Sequence, residues 1–235
     1  MMHHPKQCVS VGLTGVMAML LAGCQMLGVV SQALPPDEIQ SAYKGLVNQQ
    51  VAVMVWADRG VRMDWESIQL DMGLSVQEKL KLLQPLAPGQ KRDERDKVEK
   101  VPELQGVTWI DAASVVRFQR EHPEIDGAPI TDVAPRLGVT RLIYVEIERL
   151  ATRSDRSLEL FRGSASASLR VIECDPVTRK ATIVYSEDSI VVKFPEKVPD
   201  DGTLRGNDVV MYNGTIDALS TAVVKRFVPY ESDAR

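Results

Sequence analysis

The run VAVMVW at residues 51–56 constrains the fold more than any other feature of this sequence. It is apolar throughout, rich in β-branched valine and bounded by polar residues, which predicts a strand buried on both faces. A strand of this kind lies inside a sheet whose two faces are both covered. The run therefore predicts an α/β protein in which helices pack against a central strand.

The segments that follow this strand predict the helices that cover it. ADRGVRMD predicts a loop, and Asp64 is the expected N-cap of an amphipathic helix that runs to about residue 83. VTWID predicts a short second strand, and a second helix is expected at about 112–122.

Residues 141–194 predict an antiparallel meander of three strands. RLIYVEIERL alternates apolar and polar residues, and the tight turn DPVTRK joins the next two strands, the last of which is expected to bend near Glu187 and Asp188. A final helix is predicted to begin at Asn207 or Asp208. The expected fold class is α/β (α+β), with a mixed sheet around a central buried strand, an antiparallel C-terminal meander and packed helices.

The N-terminus carries a separate signal. The apolar run from Val9 to Leu21 has no charged residue, and at about 13 residues it is too short to span a bilayer, which needs roughly 20. It is typical of the apolar region of a secretory signal. Leu21, Ala22, Gly23 and Cys24 follow in an order that resembles the lipobox of bacterial lipoproteins.

This resemblance implies a lipid anchor. In such lipoproteins a signal peptidase recognises the residues that match Leu21, Ala22 and Gly23, and the cysteine, here Cys24, carries diacylglycerol and an N-linked acyl chain. The expected organisation is a signal peptide at 1–23, a lipidated N-terminus and short tether at 24–49, and one α/β domain at 50–235. Gln25 is similar to the residues that release such proteins to the outer membrane, which implies a lipid-anchored protein that faces the periplasm.

Composition narrows the class of function. Cleavage after residue 23 removes one lysine and no acidic residue, so the net charge changes from −4 to −5. This balance argues against nucleic acid, whose binding depends on a basic surface. Cys174 in an apolar strand pattern is expected to be a small buried hydrophobe, and His122 is the one histidine outside the signal. No metal and no cofactor other than the lipid is expected.

The order of elements resembles the curli-secretion-channel lipoproteins and their periplasmic relatives. The resemblance covers about residues 50–228 and rests on VAVMVW, LGVTRLIYVEIERL and the turn DPVTRK, where Arg179 stands in place of the usual glycine. It implies a lipoprotein with a structural, assembly or export-accessory role, whose partners are the membrane and either other envelope proteins or further copies of itself.

Two alternatives remain open on the residues alone. Glu146 and Glu148 lie two positions apart on one predicted strand, about 6.6–7 Å by strand rise, which is compatible with a carboxylate hydrolase. A glycan or small-ligand binding module would use Trp56, Trp65 or Trp109 as its platform, although each lies in or beside an apolar pattern that favours core packing.

Overall fold

The computed structural model describes residues 38–86, 99–197 and 202–231. Its strands are β1 (Glu38–Ile39), β2 (Gln50–Ala57), β3 (Thr108–Trp109), β4 (Arg141–Arg153), β5 (Phe161–Cys174), β6 (Ala181–Phe194) and β7 (Tyr230–Glu231). Its α-helices are α1 (Arg59–Asp64), α2 (Ile68–Leu83), α3 (Ala112–Glu121), α4 (Ile130–Val133) and α5 (Asp208–Val224). Three short 3-10 helices lie at Pro102–Leu104, Pro123–Gly127 and Ala134–Leu137.

Residues Gln40–Tyr230 form one compact unit built on a five-stranded sheet of order β3-β2-β4-β5-β6. The strand β2 runs parallel to both β3 and β4, whereas β4, β5 and β6 are antiparallel neighbours. The predicted mixed sheet with a buried strand, a C-terminal meander and packed helices is therefore confirmed. The strand β1 and the last residue of β7 belong to a second, small unit.

Each face of the sheet has its own core. The first core lies between the sheet and helices α2 and α5, and it takes the alternate residues Val51, Val53 and Val55 of β2. The second core lies on the opposite face, against α3 and the segment 123–139, and it takes Ala52 and Met54. The continuous apolar run of β2 is explained by this division, because its side chains enter both cores in turn.

The chain differs from the sequence-based prediction after β2. The stretch predicted as a loop forms helix α1, because the Asp58 side chain caps it by accepting a hydrogen bond from the Gly60 amide. Asp64 ends this helix, and α2 begins after Ser67, so Asp64 is not its N-cap. Gly60 lies inside this segment, and because glycine has a low helix propensity, the sequence alone does not predict a helix here.

Irregular pairing shapes the meander. Ile147 pairs with Ala167 and Arg149 with Ser166, so Glu148 is an extra residue in a β-bulge of β4. A second register shift, opposite Ala167 and Leu169, puts an extra residue into β6 at Asp188 and Ser189, where the bend was predicted, and Ser189 adopts a φ of 63°. In the turn DPVTRK, Arg179 adopts a φ of 56°, the left-handed region that favours glycine.

Residues before β2 pack on the same unit. Leu46 is buried in the first core, and the Tyr43 amide donates a hydrogen bond to the Arg226 carbonyl at 2.9 Å. Within the described ranges, none of the helices combines the length and apolar character needed to cross a membrane. The signal peptide and Leu21, Ala22, Gly23 and Cys24 lie outside the described residues.

Candidate functional site

The sheet face that carries the second core is only partly covered, and a cleft opens where the cover ends. Its floor is made by neighbouring strands: Met54 and Trp56 of β2 are register partners of Tyr144 and Glu146 of β4. Tyr144 is in turn paired with Arg170 of β5. Alternate residues of paired strands point to one face, so the five side chains lie side by side.

The wall of the cleft comes from a single stretch of chain. Residues 125–130 and Val133, which include the end of a 3-10 helix and the start of α4, line it opposite the sheet. The cleft encloses about 460 Å³. This is within the range of roughly 300–1,000 Å³ that is usual for small-ligand sites.

The charges at the cleft are arranged in pairs. Arg170 Nη1 donates to Glu146 Oε2 at 3.0 Å across β4 and β5. At the rim, Arg62 Nη1 donates to Asp126 Oδ2 at 3.0 Å, and its guanidinium carbon lies 5.6 Å from the centre of the Trp56 ring. The cleft is therefore polar but close to electrically neutral.

Two hydrogen-bond donors at the floor lack a partner in the part of the chain that the structure describes. Trp56 Nε1 is buried and is bonded to no other described atom. The Tyr144 hydroxyl likewise has no hydrogen-bond partner among those residues. Burial raises the pKa of Tyr144, and the nearby Glu146 carboxylate raises it further, so the hydroxyl keeps its proton and remains a donor.

The structure separates the two predicted carboxylates. Glu146 faces the cleft and is bound by Arg170, whereas Glu148 is exposed at the bulge and does not line the cleft. In the described part of the chain, no group of three His, Cys, Asp or Glu side chains lies close enough to hold a metal ion. Glu146 is thus held by an ion pair, and Glu148, which the hydrolase hypothesis pairs with it, lies outside the cleft.

The three tryptophans differ in role. Trp65 stacks on Tyr212 with ring centres 4.4 Å apart, and Trp109 Nε1 donates to Gln84 Oε1 at 2.7 Å, so both pack against the first core, as expected. Trp56 alone lines the cleft. Cys174 is buried in the second core, as predicted, and burial raises the pKa of its thiol.

Sequence reasoning singles out neither the residues of the wall nor, on the floor, Tyr144 and Arg170. Tyr144 and Arg170 become neighbours through the pairing of β4 with β5, which joins residues 26 positions apart. The sequence of either strand alone does not show this pairing. The sequence indicates only that each of the two residues lies between buried neighbours on its own strand.

Comparisons with known proteins find distant similarity to solved structures only. No protein-family model and no curated protein matches the chain. Among solved structures, PelC from Paraburkholderia phytofirmans, described as a dodecamer, is 7% identical, with 83% of this chain and 99% of that chain covered and a TM-score of 0.39. Lipoprotein GNA1162 from Neisseria meningitidis is 12% identical, with 69% and 90% covered and a TM-score of 0.39.

A third similar structure is the hypothetical protein CT253 from Chlamydia trachomatis. It is 17% identical, with 62% of this chain and 71% of that chain covered and a TM-score of 0.32. At these scores the similarities do not establish a shared function, and none of them tests the lipobox.

Proposed function

We propose that this chain is a bacterial envelope lipoprotein, anchored through lipids on Cys24, that works in assembly or export by binding other envelope proteins or further copies of itself. The observation that carries the proposal is the order of features at the N-terminus. An uncharged apolar run of about 13 residues ends directly in Leu21, Ala22, Gly23 and Cys24.

The anchor also fixes where the domain works. Each buried methylene contributes about 0.8 kcal/mol, so one acyl chain binds a membrane weakly and two or three hold it stably. Residues from Gln40 onward belong to the compact unit, which leaves 15 residues (25–39) after Cys24. Fully extended at about 3.3 Å per residue, these reach only roughly 50 Å. The domain would act close to the membrane, and Gln25 favours the outer one.

A role in binding other proteins is supported by the edge of the sheet at β6. This strand has 14 residues and no described strand pairs with its outer side, so one row of its backbone groups faces away from β5. Val191 on it is 63% exposed. Unpaired edges of this kind recruit strands from other chains, and the bulges of β6 limit that pairing to short stretches.

The test of the anchor is the variant Cys24→Ser, expressed in a proteobacterial host and fractionated into membrane and soluble parts. We expect the unaltered protein in the membrane fraction with lipid on its first residue by mass spectrometry. The variant should be soluble or keep its signal peptide. Cys174→Ser is the matched control and should stay in the membrane. Normal cleavage and full membrane retention of Cys24→Ser would overturn the proposal.

A further inference from the structure

The cleft beside Trp56 and Tyr144 holds a hydrogen-bond donor that no described residue accepts. The Tyr144 hydroxyl belongs to the floor of a cavity of about 460 Å³, beside the Glu146–Arg170 pair, and has no bond to any described residue. Trp56 Nε1 also lacks a described partner, but it is closed off from the cleft, so only the ring of Trp56 is available to a ligand. The Tyr144 hydroxyl and the ion pair beside it point to a ligand that forms hydrogen bonds there.

The charges of the cleft restrict the class of ligand. Glu146 and Arg170 neutralise each other, and so do Asp126 and Arg62 at the rim. A charged ligand would have to compete with one of these pairs before it gained an ionic contact of its own. A neutral ligand meets no such competition, because the Glu146–Arg170 bond uses one oxygen and one nitrogen and leaves the others to accept and donate.

The remaining surface of the cleft is apolar and partly aromatic. Met54, Ile130 and Val133 line it together with the ring of Trp56. Small-ligand sites combine such surfaces with a few convergent polar groups that fix orientation. A molecule that fits both parts has an apolar face and a rim of hydroxyl groups that donate and accept.

We propose that this cleft binds a neutral saccharide, with its hydroxyl groups bonded to Tyr144, Glu146 and Arg170. The proposal goes beyond the assembly role and does not depend on the lipid anchor, since every residue that it uses lies in the folded unit. An uncharged sugar accepts from the phenol, donates to the Glu146 oxygen that Arg170 leaves unbonded, and places its apolar face on Ile130 and the ring of Trp56.

The test uses the full chain, purified in a polyoxyethylene ether detergent that contains no sugar, on an array of neutral and acidic glycans. Calorimetry with the best neutral glycan then gives the dissociation constant. We expect Tyr144→Phe to weaken binding about tenfold, which corresponds to one lost hydrogen bond. The same variant should keep the unfolding midpoint of the parent protein, because its hydroxyl bonds no described residue.

Tyr212→Phe is the matched control. Its hydroxyl donates to Asp71 Oδ2 at 2.7 Å in the first core, so its removal should lower the unfolding midpoint and leave glycan affinity unchanged. The proposal is overturned if no glycan on the array binds, if only acidic glycans bind, or if Tyr144→Phe binds as tightly as the parent. None of these results changes the expected outcome for Cys24→Ser, so the two proposals fail separately.

Discussion

At the scale of single residues, a cluster of hydrogen bonds around Glu187 joins β6 to the chain that follows α5. Arg226 donates from Nε and Nη2 to the two oxygens of Glu187, at 2.8 and 2.6 Å, and the Tyr185 hydroxyl donates to the same carboxylate at 2.6 Å. The Arg226 guanidinium holds the pKa of Glu187 below its usual range, while burial, assisted by Glu187, raises the pKa of Tyr185 to about 12. A two-pronged pair of this kind is among the stronger hydrogen-bonded contacts in proteins.

We expect Glu187→Gln to lower the free energy of unfolding by about 1–3 kcal/mol at pH 7, because Arg226 then loses its charged partner. Since the folded pKa of Glu187 is depressed, its stabilisation is fully present above the unfolded value of roughly 4 and is lost as the pH falls through the lower folded value. The difference between parent and variant should therefore shrink below about pH 4. Urea unfolding at several pH values measures it.

The neighbouring substitution Asp188→Asn is the control for this prediction. Asp188 is exposed on the same strand, so its loss of charge should change stability by less than about 0.5 kcal/mol. A penalty for Glu187→Gln that stays constant down to pH 2 would show that the lost contact is not ionic.

At the scale of elements, helix α5 lies unusually close to β5. A Cβ atom at Gly163 would overlap the Thr215 hydroxyl and come within 3.1 Å of the Met211 carbonyl oxygen on the helix. Thr215 is itself fully buried and bonded to Met211, so it has little room to turn away. The glycine is thus required by the approach of two backbones and not by a turn.

We expect Gly163→Ala to lower the free energy of unfolding by about 1–3 kcal/mol, since overpacking displaces the helix. Gly60→Ala in α1 is the matched control, because its nearest neighbour would be Asp58 Oδ1 at an ordinary 3.6 Å. There the gain in helix propensity should make the change neutral or stabilising by up to about 1 kcal/mol. Thermal unfolding of both variants compares them directly, and equal penalties would contradict the close approach.

The periodicity of apolar residues in the sequence is sufficient to predict the strands of the sheet, but it does not predict irregularities within them. The apolar run of β2 and the alternation in β4 predicted the sheet, because burial on one or two faces leaves a direct mark on sequence. The bulge at Glu148 leaves no such mark, since an extra exposed residue looks like ordinary alternation until the partner strand is known. It moved Glu148 out of register with Glu146, which removed the basis of the paired-carboxylate hypothesis.

The sequence alone predicts only part of the cleft, because its residues meet through strand pairing. Trp56 and Glu146 were singled out by residue type, but nothing in either strand places them side by side. Their contact follows from the parallel register of β2 with β4. The wall at residues 125–130 is a connection whose path over the sheet is decided by tertiary packing, and local patterns do not report it.

At the scale of the whole molecule, one sheet supports both cores. Strands β2, β4 and β5 each send alternate residues to the first core and the second, as Ile143 and Leu142 do on β4. Loss of either core would leave one face of the same strands exposed to water. Residues 40–230 should therefore unfold as a single cooperative unit, without a stage in which one core survives.

The substitution Leu80→Ala, made in a Trp56→Phe background, tests this coupling, because Leu80 lies in the first core and Cys174 lies in the second. We expect it to lower the free energy of unfolding by about 2–5 kcal/mol. Two probes should report the same loss in urea. One is the fluorescence of Trp65 and Trp109, which both pack on the first core, and the other is chemical labelling of the buried Cys174 thiol, followed by mass spectrometry of its peptide. If labelling of Cys174 kept the parent's urea dependence while the fluorescence midpoint fell, the two faces would unfold independently, and the sheet would not couple them.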